Sequence, residues 1–407
     1  MTSSSAHECP VVPLSRAAWT AVDDRTLCHL REDRPVHRVR LPEGPEVWLV
    51  TRYAEAQQVF LDHRLVKDVR ALPEPRGAFG GRRCPDDVYA LSGRHLVNSD
   101  GADHRRLRSA VASRLSVRSA GHWRPHVEDA VRRCLGILAA AEEPDLVRDY
   151  TRPVPAAVVC AVLGFAPEHV PDITRLSHAI VSGAPTEAVT RAIGSLTDII
   201  LQQVAVTRSQ PDDGLISVLL EQATRGTWTT REVVGTTFSI LIGGLTPSST
   251  LLACTAALAL EDPRRRRALL DPVRAGEFVE EVLRHTPPGS ASTWRFAAED
   301  LTLGGADISA GDIVLVSFPA ANRDPRTFVR PGFLSTEREH NPHLTFGFGA
   351  HYCVGAPLAR LTASIALPAL FRRFPALSPA VPYATLRWHS AVVERSLASV
   401  PVRLTAT

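Results

Sequence analysis

Ten residues toward the C-terminal end, Phe346-Gly347-Phe348-Gly349-Ala350-His351-Tyr352-Cys353-Val354-Gly355, hold the chemistry that is easiest to read in this chain. They set one cysteine between a glycine-rich turn and a helix start, Gly355-Ala356-Pro357-Leu358-Ala359-Arg360. A thiol at a helix N-terminus lies beside unpaired backbone N–H groups and the positive end of the peptide dipoles. Both favour the thiolate, the form that binds a metal or attacks an electrophile. Gly347 and Gly349 let the backbone turn sharply and approach a flat ligand that a Cβ would obstruct. Pro357 suits a first helical turn, where its missing N–H costs nothing. A lone cysteine is otherwise most often a small buried hydrophobe.

Phe346, Gly349, Cys353 and Gly355 occupy the four fixed positions of Phe-x-x-Gly-x-x-x-Cys-x-Gly. The run therefore resembles the haem-binding loop of the cytochrome P-450 family. The resemblance implies haem b (iron protoporphyrin IX) with Cys353 as its iron ligand, the thiolate ligation known for that family. It also implies partners for the haem propionates, since buried anions need cationic or hydrogen-bonding neighbours. His104 and Arg108, in His104-Arg105-Arg106-Leu107-Arg108, resemble the family's His-x-x-x-Arg helix. Arg295 and His351 match further donors, and His343 is an additional candidate. Taken singly, each could equally be a surface charge.

Glu281 and Arg284 are three apart, so on a helix they share a face and can pair. As a surface pair they would contribute little. They precede Ala321-Asn322-Arg323-Asp324-Pro325 and then the cysteine, an order similar to the family's buried Glu–Arg network. Arg338 is the expected third member, and the role is structural.

The departure from the family lies at Gly243-Gly244-Leu245-Thr246-Pro247-Ser248. The family pattern there is Ala/Gly-Gly-x-Asp/Glu-Thr, an acid–alcohol pair that delivers protons. Both glycines are kept, but Thr246 stands at the acid position and Pro247 at the alcohol position. Proline cannot donate to the carbonyl four residues back, here Gly243, so a local kink is expected. Ser248, or a water on that freed carbonyl, is the expected relay.

The elements that must position these residues follow from pattern. Thr229-Thr230-Arg231-Glu232 reads as a capping box opening a helix that is apolar almost all round from Val233 to Leu260, hence buried. Val47 to Thr51 reads as a strand, Tyr53 to Asp62 as a helix, 66–98 as a long functional loop, and Asp103 to Leu260 as mainly helical. Strands return after Pro287, with turns at Gly304-Gly305 and Gly311-Asp312. The first forty or so residues read as an irregular lead-in. The expected fold is mainly α with a smaller β region, one cytochrome P-450 domain over 1–407. Pocket walls are expected from 66–97, Leu245, Thr246, Gly289 to Thr293 and Ala391 to Val393.

Composition narrows the classes. The chain has 407 residues, 44% of them hydrophobic, with a net charge of +3 and no basic footprint for nucleic acid. No apolar stretch reaches the roughly 18–20 residues of a membrane span, and no signal peptide is seen, which points to the cytoplasm. Seven scattered cysteines without a CxxC pair argue against a disulfide scaffold or zinc ribbon. Arg264 to Arg267 follow Asp262-Pro263, a helix start, and read as a solvated face or a docking patch.

The resemblance implies an oxidoreductase that activates dioxygen with electrons from NAD(P)H, delivered by a ferredoxin reductase and a ferredoxin. It implies hydroxylation of a bulky, weakly charged small molecule of bacterial secondary metabolism. Loss of the acid–alcohol pair also fits intramolecular C–C or C–N coupling or peroxide-driven oxidation. From other classes, the alternatives are a non-catalytic haem sensor and a haem-free metal site using Cys353 and His351.

Overall fold

The computed structural model describes residues 10–404 apart from 21–24, 43, 73–94, 182–183 and 391–392. Helices dominate, and the strands gather mainly into one six-stranded sheet. That sheet runs Val12–Pro13, Val36–Arg40, Glu46–Val50, Ile313–Val316, Arg295–Ala297, Leu65–Val66. Its centre joins distant parts of the chain: Trp48 lies beside Val314 in a parallel pair, and Arg295 beside Val314 in an antiparallel one. Asp312, in the expected Gly311-Asp312 turn, accepts from Trp48 Nε1 at 2.9 Å. The other expected turn, Gly304-Gly305, closes the hairpin Leu301–Leu303/Ala306–Ile308 with both glycines at positive φ, 56° and 80°.

The lead-in is not irregular. It holds helices Arg16–Thr20 and Arg25–Asp33 and two strands of the sheet. Short elements rich in Arg and Pro carry too weak a period to be read alone, and sheet pairing across the chain fixes them. Within 66–98 the described residues form single turns, Val69–Ala71 and Leu96–Asn98; the stretch 73–94 lies outside the described residues.

The long helix spans Thr230–Glu261. Its capping box is complete: Thr229 Oγ1 accepts from Glu232 N (3.1 Å), and Glu232 Oε2 accepts from Thr229 N (2.7 Å). Arg106 clamps the same carboxylate at 2.6 Å, tying this helix start to the helix Gly101–Leu115. By length and composition this helix could cross a membrane, contrary to the count of apolar residues made above. Its apolar surface is instead packed against other helices as the middle of the main hydrophobic core.

The helix is continuous through Pro247. It is also not buried all round: Gly243 is exposed, and Ile242, Thr246, Pro247 and Ser248 are half-buried. One face of the most central helix thus looks onto open space at the glycine–proline segment. A Cβ on Gly243 would meet nothing within 4 Å, whereas one on Gly244 would stand 3.0 Å from Val159 Cγ2. Gly244 therefore permits close crossing of the helix Pro153–Leu163, a packing reason distinct from the catalytic one expected of it.

Candidate active site

The cysteine loop is built as its residue types require. Gly347 and Gly349 both hold positive φ, 75° and 71°. At Gly349 a Cβ would also collide with Phe60 O and Leu61 Cδ2, both at 3.2 Å, so the loop passes close to the helix Tyr53–Leu61. Cys353 N donates to Phe346 O at 2.8 Å, closing the turn. The helix Ala356–Arg373 follows with Pro357 in its first turn. Cys353 is exposed to solvent yet densely surrounded by protein atoms, the position of a group on the floor of a concave space.

Burial pushes the Cys353 thiol up; the backbone N–H groups of Gly355 and Ala356, then Arg108 and Arg360, pull it down without overcoming that. The backbone N–H groups favour the thiolate, in the direction expected of a helix start, but burial outweighs them, and a bound metal cation would supply the rest.

Beside the sulfur lies an excess of positive groups. Arg108 Nη2 donates to Tyr352 O at 2.7 Å. His104 is buried, stacks on His351 with ring centroids 3.9 Å apart, and leaves Nε2 without a partner. Desolvation, then the charges of His351 and Arg108, hold His104 down to about 4. Buried Arg295 uses Nη1 on Leu65 O (2.9 Å), and its Nε has no partner. Burial takes Arg295 down to about 10.

Two members of the cluster escaped the sequence. Lys67 is buried, donates to Thr293 Oγ1 and its carbonyl, and is held well below the ordinary lysine value by burial and by Arg295. Asp100 accepts from Lys67 N (2.7 Å) and Asp68 N (2.8 Å) and faces His351 Nε2 at 3.4 Å. No local pattern marked either: a lysine just after the short strand Leu65–Val66 is ordinarily exposed. A single carboxylate faces Lys67, Arg295 and two imidazoles, and two buried nitrogen atoms, His104 Nε2 and Arg295 Nε, have no partner. Such a set fits the two propionates of a haem.

His343 does not join this set. Its Nε2 faces Glu280 at 3.0 Å and its Nδ1 accepts from Thr345 N, so both ring nitrogens are committed. Glu280 also receives Arg360 Nε (2.7 Å) and Nη2 (2.8 Å), and Arg360 lies over the Phe346 ring and donates to Tyr352 Oη at 3.1 Å. This brace ties the cysteine loop to the helix Arg274–His285 and was not foreseen.

On the same helix, Glu281 and Arg284 form a fully buried bidentate pair, 2.8 Å at each contact. Arg338 Nε reaches Glu281 at 2.9 Å, as expected, and Ser335 N and Asn341 Nδ2 complete the carboxylate's shell. The arginine run is mostly structural: Arg264 holds Asp262, and Arg266 donates to the Phe374, Pro375 and Leu377 carbonyls.

The expected pocket walls separate. Gly289 bridges Glu394, and Ser290 N donates to Val393 O, so these two segments meet; residues 391–392 lie outside the described residues. Leu245 and Thr246 instead face a different, small cavity with Arg152, Ser177, His178 and Leu397. Leu245 is two residues on from exposed Gly243, roughly two hundred degrees round the helix, and half-buried Thr246, three on, lies at the border between the two spaces.

A profile of the Cytochrome P450 family matches residues 276–387. The chain is 34% identical over 382 residues to Cytochrome P450 107B1 of Saccharopolyspora erythraea, spanning 92% of this chain and 93% of that one. It is also 34% identical over 383 residues to the Mycinamicin IV hydroxylase/epoxidase of Micromonospora griseorubida, again 92% and 93%. Among solved structures, the tirandamycin C-bound P450 monooxygenase TamI matches with a TM-score of 0.87 and 31% identity, over 97% of this chain and all of that one. Relatives named as monooxygenases over nearly the full length favour an enzyme over a haem sensor or a haem-free metal site. On fold, cysteine loop and full-length likeness together, the chain belongs to the cytochrome P450 family and is a monooxygenase-type oxidoreductase with a haem cofactor.

Proposed function

We propose that residues 1–407 act as one cytoplasmic catalytic domain that hydroxylates a bulky, weakly charged small molecule in bacterial natural-product biosynthesis. Electrons would come from NAD(P)H through a ferredoxin reductase and a ferredoxin. The observation that supports this reading is the pair of buried unpartnered nitrogens at His104 and Arg295, with His104 stacked on His351 of the cysteine loop and Arg108 bound to its Tyr352 carbonyl. The relatives named for mycinamicin and tirandamycin suggest the substrate class.

In this proposal Cys353 holds the iron, and the N–H groups of Gly355 and Ala356 support its charge. His104, Arg295 and Lys67 take the propionates, with Arg108 and His351 beside them. Bound there, the haem would supply dioxygen activation and oxidation of a substrate bond placed over it. Gly243 would leave the long helix's open face free of side chain. Neither Thr246 nor Pro247 can act as a carboxylic acid, so protons would pass along Ser248 or a water held by the Gly243 carbonyl that Pro247 leaves free.

That same substitution favours a second reading, oxidative C–C or C–N coupling or peroxide-driven oxidation. Reconstitution with ferredoxin, reductase and a panel of macrocyclic and aromatic compounds separates them. A product heavier by one oxygen supports hydroxylation, and loss of two hydrogens supports coupling. If fatty acids shift the Soret band and the panel does not, the substrate class is wrong.

A further inference from the structure

Away from the cysteine loop, a small cavity of about 20 Å³ lies among the long helix, the helix Val170–Val181, and the strand Arg395–Leu397. Much of its lining is polar: Arg152, Thr174, Ser177, His178, Thr246 and Ser249. Arg152 sits where a π-helical turn, Val147–Thr151, meets the Pro153–Leu163 helix, and Pro153 fixes the chain as it leaves.

Among the described residues, no hydrogen bond or ion pair reaches the Arg152 guanidinium. Ser177 is 1% exposed and its Oγ has no partner; buried Nε2 of His178 has none either. His389 adds a third basic group, its ring centroid 5.7 Å from that of His178. The carboxylate whose charge reaches Arg152 is Asp145. It is already committed, Oδ1 to Val147 N (2.8 Å) and Arg148 N (2.9 Å), Oδ2 to Ser399 Oγ and Val400 N (3.0 Å).

A half-buried guanidinium without a protein partner, beside a buried unsatisfied hydroxyl and imidazole nitrogen, is an arrangement suited to an anion. We propose that this cavity binds one small monoanion of carboxylate type, held by Arg152 with Ser177 and His178 as hydrogen-bond donors. The volume admits a group of one to three heavy atoms, such as formate, or the carboxylate end of a longer molecule. The anion would lie against Thr246, restoring a negative charge beside the helix position where the family pattern has its acid.

Equilibrium dialysis of the haem-loaded protein against radiolabelled formate, at ionic strength fixed with gluconate, tests this. One saturable site per chain is expected, weakened at least tenfold in Arg152→Gln and several-fold in His178→Asn. Because bound formate favours the imidazolium, the His178 pKa followed by NMR should rise with formate in the parent and not in Arg152→Gln. Should Arg152→Gln fail to fold, Ser177→Ala and His178→Asn carry the comparison. Butyrate or octanoate displacing formate would assign the site to the end of a longer carboxylate, and their failure to do so would assign it to a free solute. Absence of saturable binding, or equal binding by the variants, overturns the proposal and leaves a water pocket.

Discussion

Around Cys353 the individual residues are arranged for a partner they do not themselves supply. Lys67 and Arg295 are buried side by side, and each is pushed below its ordinary value mainly by desolvation. Two buried cations repel unless anions lie between them. Lys67→Met should therefore act in two directions. Haem-free protein should melt higher, by an amount equivalent to about 1–2 kcal/mol, while haem should transfer several-fold faster to a scavenging apoprotein. Haem-free melting and transfer kinetics together check this, and a slower transfer would remove Lys67 from the propionate set. Cys353→Ala should abolish the carbon-monoxide band of the reduced thiolate-ligated form. Of this site the sequence displayed the loop, because glycine, proline and cysteine at fixed spacing have few other uses. It concealed Lys67 and Asp100, whose roles come from a strand end and a helix start that only the tertiary fold brings together.

At the scale of elements, the helix Arg274–His285 is what holds the cysteine loop still. Its buried Glu281 receives buried Arg284 and half-buried Arg338, Ser335 N and Asn341. Glu281→Gln leaves Arg284 as an uncompensated buried charge, so a loss of about 3–5 kcal/mol is expected in urea unfolding. Its neighbour Glu280 is held down to about 2 despite burial, by hydrogen bonds from Arg360 and His343. The Glu-x-x-Arg spacing exposed the first pair because three-residue separation is a local fact. Partnership of Glu280 with Arg360, eighty positions on, is not local and left no mark on the pattern. The long helix shows the same limit: its cap and length were legible, but not which face would stay open. Pro247→Thr, which returns an alcohol and the N–H, should raise the share of electrons recovered in product and lower peroxide release, measured per reductant consumed.

For the molecule as a whole, burial of titratable groups sets how stability follows pH. His95, His104, His178 and His285 are lowered to about 3, 4, 4 and 2, each mainly by desolvation. A group depressed on folding contributes stability above its unfolded value, near 6.5, and loses it as pH falls toward the folded value. Glu394 runs the other way. Its Oε2 is shielded from water without a partner, and desolvation raises it to about 8. Below an unfolded value near 4.5 it is protonated in both states and neutral to stability; from there to about 8 only the unfolded chain releases the proton, so stability falls. Between about 4.5 and 6.5 four imidazoles outweigh one carboxyl, and the urea midpoint should climb steeply with pH. From about 6.5 to 8 the imidazoles are spent; Glu394 lowers the midpoint there, while buried Lys67, held well below its ordinary value, works in the opposite direction. Glu394→Gln has no proton to lose, so its midpoint should exceed the parent's by a growing margin as pH rises through that upper window; parallel curves for the two proteins would mean that Glu394 does not govern the alkaline side.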